Sequence, residues 1–498
     1  MAEGARWIGS ANGGRVVPWR SINVQSGDGA VFREAVRRIE DELGLAQEFP
    51  QQVLAEAEEA SRHPTMPGLD RTDLPFITID PPGATDLDQA LHIARSGSGY
   101  RVFYAIADVA AFVRPGGAID EEAHRRGQTL YTPEHRLPLH PPVLSEGAAS
   151  LLPGRIRPAL LWTIDIDSTG EQTNVDVARA IVRSRAQLDY ASAQRQLDHG
   201  SADDVLALLS EVGTLRLAQE RERGGVSLPL PDQEVVVSSG RWNLTYRASL
   251  PVEEWNAQVS LLTGMGAAEI MLYGEVGILR TLPAPPDSAF AKLRRAAAAV
   301  RLEWDPDSDY PDFIRSIDPS SANGAAMLNA CTSLLRGAGY VAFEGGVPPN
   351  VEHAALASEY AHVTAPLRRL ADRYAGEVAV ALCADAEVPE WVRTALRDLP
   401  KEMEASDRVA HKLERAVLDL VEAGVLADRL GETFTGVITD LDDRDERAGI
   451  VMLREPAVEA KVSTAAGKLP LGEEVAVRLV RADLDKRLVR FELMPSTE

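Results

Sequence analysis

The sequence contains very little cysteine and no long apolar run. Its 498 residues include only two cysteines, Cys331 and Cys383, and both lie in apolar stretches with a helical pattern. So few thiols argue against a disulfide framework and against a zinc site built on cysteine. No stretch approaches the ~20 consecutive apolar residues of a membrane-spanning helix, and no charged segment followed by an apolar one marks a secretory signal. We therefore expect a protein of the reducing cytoplasm that has no membrane partner.

Lysine is also scarce, and acidic residues outnumber basic ones. The formal net charge is −23 at pH 7, and the first lysine in the chain is Lys292. This balance excludes a protein covered with basic patches, although a local basic groove would be enough to bind a nucleic acid. Most of the basic residues are arginine, which can form paired hydrogen bonds with phosphate and stack on bases. A GC-rich genome would explain the excess of arginine without any such role.

Carboxylates are concentrated in one short stretch. Asp80 ends an apolar strand pattern at residues 76–79, the Pro-Pro-Gly of residues 81–83 favours a turn, and Asp86 and Asp88 follow it. In an extended segment the side chains of Asp86 and Asp88 would point to the same side. Three carboxylates so close together repel one another, so protons or a cation must balance their charge. A divalent ion with oxygen ligands, Mg²⁺ first, is the predicted answer, and a solvated turn is the alternative.

The spacing of these residues resembles the signature of the RNase II/RNase R family, the RNB-domain exoribonucleases. The resemblance is carried by Thr-Ile-Asp-Pro at residues 78–81 and Asp-Leu-Asp-Gln-Ala-Leu at residues 86–91. It implies hydrolysis of single-stranded RNA from the 3′ end, with release of 5′-mononucleotides. It also implies a site of four Asp residues that hold Mg²⁺, of which the first three match Asp80, Asp86 and Asp88. Asp86 and Asp88 are then the catalytic carboxylates, and Asp88 is the one expected to position or deprotonate the attacking water.

The fourth position of the family's site is occupied by Gln89 in this chain. An amide oxygen can ligate Mg²⁺, so Gln89 is kept as a predicted metal ligand, but it contributes no negative charge. The replacement therefore predicts weaker metal binding, or the use of Mn²⁺ or Zn²⁺ in place of Mg²⁺. The alternative is a protein that still binds RNA and no longer cuts it.

A second segment, residues 127–147, resembles the part of the family that carries an aromatic residue stacked on the terminal bases of RNA. The match places that role on Tyr131. Stacking suits an enzyme without sequence preference, because every base has a π face, and it is worth ~1–3 kcal/mol per base. The alternative is that Tyr131 belongs to the core. A second aromatic residue of the family aligns near Val235, which is aliphatic, so we predict a one-sided clamp.

A third segment, residues 360–372, resembles the family motif Tyr-x-His-x-Thr-Ser-Pro followed by an apolar residue and two arginines. Taken as residues alone, Pro366 suits the first turn of a helix and Thr364 suits its N-cap. The free N–H groups of a helix start, with Arg368 on the next turn, would form a site for a phosphate group. The resemblance assigns Arg368 to the scissile phosphate, which makes it both a catalytic and an RNA-binding residue.

Two further residues of this motif, Arg369 and His362, are also predicted to contact RNA. For Arg369 the alternative is a contact with acidic neighbours. For His362 the alternative is a hydrogen-bonded structural histidine. Together with Tyr131 and Arg368, they complete the predicted RNA-binding set.

Three regions are predicted from the change of pattern along the chain. Residues 1–70 form an N-terminal extension of unassigned role, and residues 71–430 form a mixed α/β (α+β) catalytic domain of the RNB type that is helical in its C-terminal part. Within this domain, residues 251–280 read as one long buried helix. From residue 431 onward, five short strand patterns predict a small all-β barrel of the OB type. This barrel, residues 431–498, resembles the family's C-terminal S1 domain.

The predicted function is therefore a metal-dependent 3′→5′ exoribonuclease that acts on single-stranded RNA as a monomer. The alternative is an RNA-binding protein of the RNB type whose hydrolysis is weakened or lost because of Gln89. A third hypothesis, a phosphodiesterase for a small molecule, would need a closed pocket in place of a channel for a strand.

Overall fold

The N-terminal region contains two helices. The computed structural model of the protein describes residues 30–132, 135–228, 232–238, 241–247, 249–319, 321–442, 444–453 and 455–495. The two helices are α1 (Ala30–Glu42) and α2 (Gln51–Arg62). In α1 the apolar residues recur at helical spacing, so Phe32, Val36 and Ile39 share one face, and all three are buried. Helix α1 is therefore attached to the rest of the protein by one apolar face.

Five strands then close the first of two barrels. The elements of this part are β1 (Phe76–Asp80), β2 (Gln89–Ser96), β3 (Gly99–Ala107), α3 (Ala118–Arg126), β4 (Leu130–Tyr131), β5 (Arg136–Leu137), β6 (Ile156–Ile166) and β7 (Gln172–Asp189). The barrel order is β1-β2-β3-β6-β7, and the barrel closes through a parallel pairing of β1 with β7. In this pairing Asp80 lies opposite Asp189, where both strands end. The register therefore places Asp80 at one end of the barrel wall.

Helices and short hairpins follow the first barrel. They are α4 (Tyr190–Asp198), α5 (Asp204–Glu222), β8 (Asp232–Ser238), β9 (Arg241–Arg247), α6 (Pro251–Tyr273), β10 (Val276–Thr281), α7 (Asp287–Ala299), α8 (Tyr310–Ser316), α9 (Ala322–Cys331), β11 (Gly339–Glu344), β12 (Glu352–His353), β13 (Ser358–Glu359), α10 (Leu370–Cys383), α11 (Glu390–Leu396) and α12 (Leu399–Leu426). The predicted single helix over residues 251–280 is wrong, because α6 ends at Tyr273 and the chain returns as β10. Gly274 and Glu275 make this reversal, with a φ of 52° at Glu275. Apolar residues there suit either structure, and antiparallel pairing of β10 with β11 decides it.

A second barrel follows α12. Its strands are β14 (Thr433–Leu441), β15 (Ala448–Leu453), β16 (Glu459–Ser463), β17 (Glu474–Asp483) and β18 (Leu488–Leu493), closed in the order β14-β15-β16-β18-β17. Buried residues alternate with exposed ones along these strands, as Val462 and Phe491 show. The structure therefore confirms the predicted fold class, a mixed α/β domain followed by a small OB-type barrel.

Two expectations from composition can be compared with the structure. Within the described ranges, no helix is both long enough and apolar enough to cross a membrane. Cys331 is buried, Cys383 is partly buried, and both are free thiols.

Candidate active site

The Asp-rich turn lies at one end of the first barrel. Asp80 is the last residue of β1, whereas Asp86 and Asp88 precede β2 and belong to no strand. The turn is anchored by Leu87, whose side chain is fully buried and whose N–H donates to the Ser150 hydroxyl at 2.9 Å. Strand β2 thus begins only after Asp86 and Asp88, and the two carboxylates have separate partners.

Asp88 forms a buried ion pair with Arg368. The Asp88 side chain is only 1% exposed. Its Oδ2 accepts a hydrogen bond from Arg368 Nε at 2.6 Å, and its Oδ1 accepts one from the Leu367 N–H at 2.8 Å. A carboxylate removed from water needs such partners. The structure thus brings together two residues that were predicted to be catalytic, and each balances the charge of the other.

Arg368 lies on a tight turn and not on a helix. The N–H groups of Arg368 and Arg369 both donate to the carbonyl of Ala365. Backbone hydrogen bonds on either side of Arg369 join it to residues 127–129 in an antiparallel bridge, which holds Arg369 in an extended conformation. Helix α10 can begin only after this bridge. The predicted N-cap at Thr364 is therefore wrong, because the bridge shifts the start of the helix.

Asp86 faces the hairpin formed by β4 and β5. Arg136 Nη1 donates to Asp86 Oδ1 at 2.5 Å, and Arg136 Nε donates to Glu146 Oε1 at 3.0 Å. The Tyr131 hydroxyl donates to Asp86 Oδ2 at 3.3 Å. The side chain of Tyr131 is only partly buried, and its hydroxyl joins it to the carboxylate cluster. Sequence reasoning gave Arg136 and Glu146 no role, because a charge pair that spans 50 residues leaves no local pattern.

Gln89 is hydrogen-bonded at both ends of its amide. The Tyr104 hydroxyl donates to Oε1 at 2.5 Å, and Nε2 donates to the carbonyl of Thr364 at 2.7 Å. A carboxylate at this position has no N–H and cannot donate to that carbonyl. The amide therefore links β2 to the segment that leads into the Arg368 turn. The metal-ligand role of Gln89 stays a prediction.

Burial and mutual repulsion control the protonation of the carboxylates. Burial raises the pKa of Asp80 to about 7, with Arg368 opposing the shift and Asp88 and Asp86 adding to it. Burial also raises the pKa of Asp88 to about 6, and the opposing effects come from Arg368 and the Leu367 N–H. Ionising all of these groups at neutral pH is costly without further positive charge.

The carboxylate oxygens suit a hard divalent cation, but they do not form a ready cage. Oxygen atoms are the ligands that Mg²⁺ prefers. Across the residues that the structure describes, no three His, Cys, Asp or Glu side chains are grouped so that they could hold a metal ion. Asp88 is turned toward Arg368, and Asp86 toward Arg136. The charge and chemistry of Asp80, Asp86 and Asp88 thus fit the predicted ion, while two of the three carboxylates are now balanced by arginine.

We expect the free energy of unfolding of the metal-free protein to fall as the pH rises because of Asp80. The pKa of Asp80 is about 7 in the folded protein against an ordinary value of 3.8. The folded state therefore holds a proton that the unfolded state has lost between these two values. The stability from this proton is complete below pH ~4 and is lost as the pH rises through ~7. In Asp80→Asn the free energy of unfolding should depend less on pH. Its total fall over this pH range should be smaller than in wild type by about 1–3 kcal/mol.

The measurement is urea unfolding at pH 4, 5, 6, 7 and 8 in a chelating buffer. Asp41→Asn is the matched control, because Asp41 is exposed on α1. The control should reproduce the wild-type slope. An equal slope in Asp80→Asn and Asp41→Asn would show that Asp80 titrates normally.

The two remaining residues predicted to bind RNA contact other side chains of the protein. Arg369 is 6% exposed and donates to both carboxylate oxygens of Asp372, at 2.8 and 2.9 Å. His362 Nδ1 lies 2.7 Å from the Tyr340 hydroxyl, and burial holds the pKa of His362 well below its ordinary value. Arg369 therefore pairs with an acidic neighbour and His362 lies at hydrogen-bonding distance from a hydroxyl, as their alternatives had it, and the RNA contacts of both residues stay predictions.

One residue near Asp80, Tyr190, was not found from the sequence. Tyr190 is the first residue of α4, and its side chain hydrogen-bonds Asn256 of α6. Burial raises the pKa of the Tyr190 hydroxyl, and the charge of Asp80 adds to this shift. The parallel register explains the proximity, because Asp189 pairs with Asp80 and Tyr190 follows it. Only knowledge of that pairing could have brought Tyr190 into the site.

Models of two protein families match the chain. The model of the RNB domain matches residues 69–380, and the model of the RNase II-type exonuclease C-terminal S1 domain matches residues 432–494. The chain is 30% identical to the human exosome complex exonuclease RRP44 over 363 residues, which is 70% of this chain and 38% of the relative. It is 26% identical to ribonuclease R of Escherichia coli over 525 aligned positions, covering 94% of this chain and 63% of the relative. The chain thus spans less than two thirds of the length of these relatives.

Solved structures share the fold. RNase R of Mycoplasma genitalium, in complex with ribose-methylated single-stranded RNA, matches with a TM-score of 0.83 at 18% identity, covering 94% of this chain and 79% of the other. Yeast Ssd1, described as a pseudonuclease, matches with a TM-score of 0.70 at 16% identity, covering 92% of this chain and 59% of the other. At these identities the likeness concerns the fold alone.

Proposed function

Because this chain belongs to the RNB-domain family, we propose that it is a metal-dependent 3′→5′ exoribonuclease that degrades single-stranded RNA to 5′-mononucleotides. It acts in the cytoplasm and as a monomer. One observation carries the proposal: three distant segments place Asp80, Asp86 and Asp88 in one electrostatic cluster with Arg368 and Tyr131. That cluster combines acidic groups, a phosphate-binding cation and a ring for base stacking, which are the parts that hydrolysis of an RNA end requires.

Asp80, Asp86 and Asp88 are the residues that would hold Mg²⁺. When bound, the ion would polarise the phosphoryl oxygens and lower the pKa of a bound water. The raised pKa values of Asp80 and Asp88 support this assignment, because added positive charge would allow both to ionise at neutral pH.

The other roles fall to residues that contact these carboxylates. Asp88 positions the attacking water or accepts its proton, and burial keeps the Asp88 carboxylate away from bulk solvent. Arg368, now paired with Asp88, supplies positive charge to the scissile phosphate. Tyr131 stacks on a terminal base, while its hydroxyl remains near Asp86. Arg136 fixes the orientation of Asp86.

The second candidate function is RNA binding without cleavage. It is favoured by Gln89, because an amide brings no charge to the cluster and because both ends of this amide are already hydrogen-bonded, to Tyr104 and to Thr364. It is also favoured by the Asp88–Arg368 pair, which is a stable arrangement in the absence of an ion. In this case the protein would retain the stacking and phosphate contacts and lack the hydrolytic step.

The two candidates are separated by one assay. Single-stranded RNA labelled at its 5′ end is incubated with the full chain and with Mg²⁺, Mn²⁺ or Zn²⁺ in turn. The proposed enzyme shortens the labelled RNA progressively from its 3′ end, and it shortens RNA with a blocked 3′ end more slowly. Binding in every buffer without shortening in any of the metals would reject the enzyme and establish the second candidate.

Changing the amide at position 89 should alter the metal requirement. In Gln89→Asp a carboxylate joins the cluster, so we expect half-maximal cleavage at a metal concentration several-fold lower than in wild type. The same change leaves the Thr364 carbonyl without its donor, so the metal-free protein should lose ~1–3 kcal/mol of stability. Isothermal calorimetry with Mg²⁺ measures the affinity without any need for activity.

Gln89→Asn is the matched control for that change. It shortens the side chain by the same carbon and adds no charge, so any difference between the two variants is due to the carboxylate. We expect Gln89→Asn to lose stability without gaining metal affinity. Equal Mg²⁺ affinity in the two variants would show that position 89 does not act on the ion.

A further inference from the structure

Helix α1 packs against the hairpin that carries Tyr131. The buried face of α1, with Phe32, Val36 and Ile39, belongs to one apolar cluster that also contains Leu130 and Leu137 of the hairpin. Residues of α12 and of the C-terminal barrel complete this cluster. Helix α1 therefore belongs to the same apolar cluster as the Tyr131 hairpin and the C-terminal barrel.

Two ion pairs extend the contact of α1 with the barrel at the surface. Arg38 Nη1 lies 3.4 Å from Asp485 Oδ1, and Glu42 Oε2 lies 2.7 Å from Arg487 Nη2. Exposed pairs of this kind contribute little stability. The burial of apolar surface is therefore the main force that attaches the helix.

Glu40 is a carboxylate that the same interface buries completely, with 0% exposure. Its Oε1 lies 2.9 Å from His135 Nε2, and its Oε2 accepts a hydrogen bond from the Gln47 side chain at 2.8 Å. Burying a carboxylate is costly unless it is paired. Packing alone would therefore favour an apolar residue at position 40, and the carboxylate is balanced by a hydrogen bond from Gln47 and a close approach of His135.

His135 helps to form the connection between β4 and β5. Its carbonyl accepts hydrogen bonds from the N–H of Thr132 at 2.9 Å and from the Thr132 hydroxyl at 2.7 Å. Tyr131 and Arg136 come directly before and after these two residues, and both contact Asp86. A contact that holds His135 therefore also holds two side chains of the carboxylate cluster.

We propose that α1 positions the hairpin of Tyr131 and Arg136, with Glu40 acting as a positioning residue through His135. The N-terminal extension thereby gains a role in the site, because it orders the side of the cluster that faces the bases. The consequence for RNA rests on the proposed function, whereas the consequence for the hairpin itself does not.

The first test is hydrogen exchange, read by mass spectrometry on the full chain in a chelating buffer. Glu40→Gln keeps the size of the side chain and removes its charge, and Glu34→Gln makes the same change on the exposed face of α1. We expect amides of residues 129–132 and 135–137 to exchange about ten-fold faster in Glu40→Gln, with α12 unchanged. RNA affinity should weaken by about five-fold in the same variant. Glu34→Gln should match wild type in both measurements.

His135→Gln approaches the same contact from the hairpin. The His135 side chain is 41% exposed, so this variant leaves the apolar core intact and stays folded even where Glu40→Gln does not. We expect the same faster exchange in His135→Gln, and no further increase in the double variant, because both changes act on the same contact. Exchange at the Glu34→Gln rate in both single variants would overturn the proposal. Faster exchange in a protein that neither binds nor cuts RNA would support the positioning role and reject the proposed function.

Discussion

Asp88→Asn is expected to abolish RNA cleavage, with a rate at least ~10³-fold lower than wild type, because a positioned acid–base group contributes ~10²–10⁴-fold. RNA affinity should stay within a few-fold of wild type. Asp88 uses both carboxylate oxygens as acceptors, one for the Leu367 N–H and one for Arg368. Asparagine has one acceptor oxygen, so its NH₂ group must face one of these two donors. The variant therefore loses the base and also one of the two contacts that join position 88 to the turn of Arg368.

Single-turnover cleavage separates the chemical step from binding, and fluorescence anisotropy with RNA in a chelating buffer measures the affinity. Asp165→Asn is the matched control, because Asp165 forms a more exposed pair with Arg101 at 2.7 Å. That variant should cut RNA at the wild-type rate and lose at most ~1 kcal/mol of stability. A cleavage rate in Asp88→Asn within ten-fold of wild type would remove Asp88 from the catalytic role.

Local patterns in the sequence were sufficient for the parts of the fold that depend on local burial. Short apolar runs between turn residues predict the strand before Asp80 and the strands of the C-terminal barrel. A buried strand needs such a run because its side chains contact the core. The same rule failed at residues 251–280, where apolar residues continue from α6 into β10. Composition does not distinguish a buried helix from a buried strand, and pairing with β11 settled the matter.

The candidate site depends on contacts that no local pattern contains. Asp88 meets Arg368 across 280 residues of sequence, and Gln89 meets Thr364 across 275. The carboxylate and arginine motifs could be recognised one by one. That Asp88 and Arg368 neutralise each other could be seen only in the folded chain. The helix start shows the same limit, because the N-cap rule at Thr364 was overruled by the backbone bridge at Arg369.

Arg368→Ala is expected to lower kcat/KM by ~10²–10³-fold, which is the usual effect of removing a group that stabilises developing charge. It should also destabilise the metal-free protein by ~3–5 kcal/mol, because the buried Asp88 carboxylate then loses its counter-charge. The double variant Arg368→Ala with Asp88→Asn should be more stable than the sum of the single changes implies, since both partners of the pair are gone. Urea unfolding in a chelating buffer measures these differences, and Arg101→Ala, which breaks the more exposed pair with Asp165, is the control.

The pH dependence of the Arg368 variants distinguishes the charge of this residue from its geometry. Arg368 acts to lower the pKa values of Asp80 and Asp88. Its removal in Arg368→Ala should therefore raise both values, so the residual activity should fall off on the acid side at a higher pH than in wild type. Arg368→Lys keeps a positive charge but lacks the Nε–H that reaches Asp88 Oδ2 at 2.6 Å. It should lose rate and retain the wild-type pH profile. If the alanine variant kept the wild-type profile as well, Arg368 would not control the ionisation of the carboxylates, and its role would be confined to the phosphate.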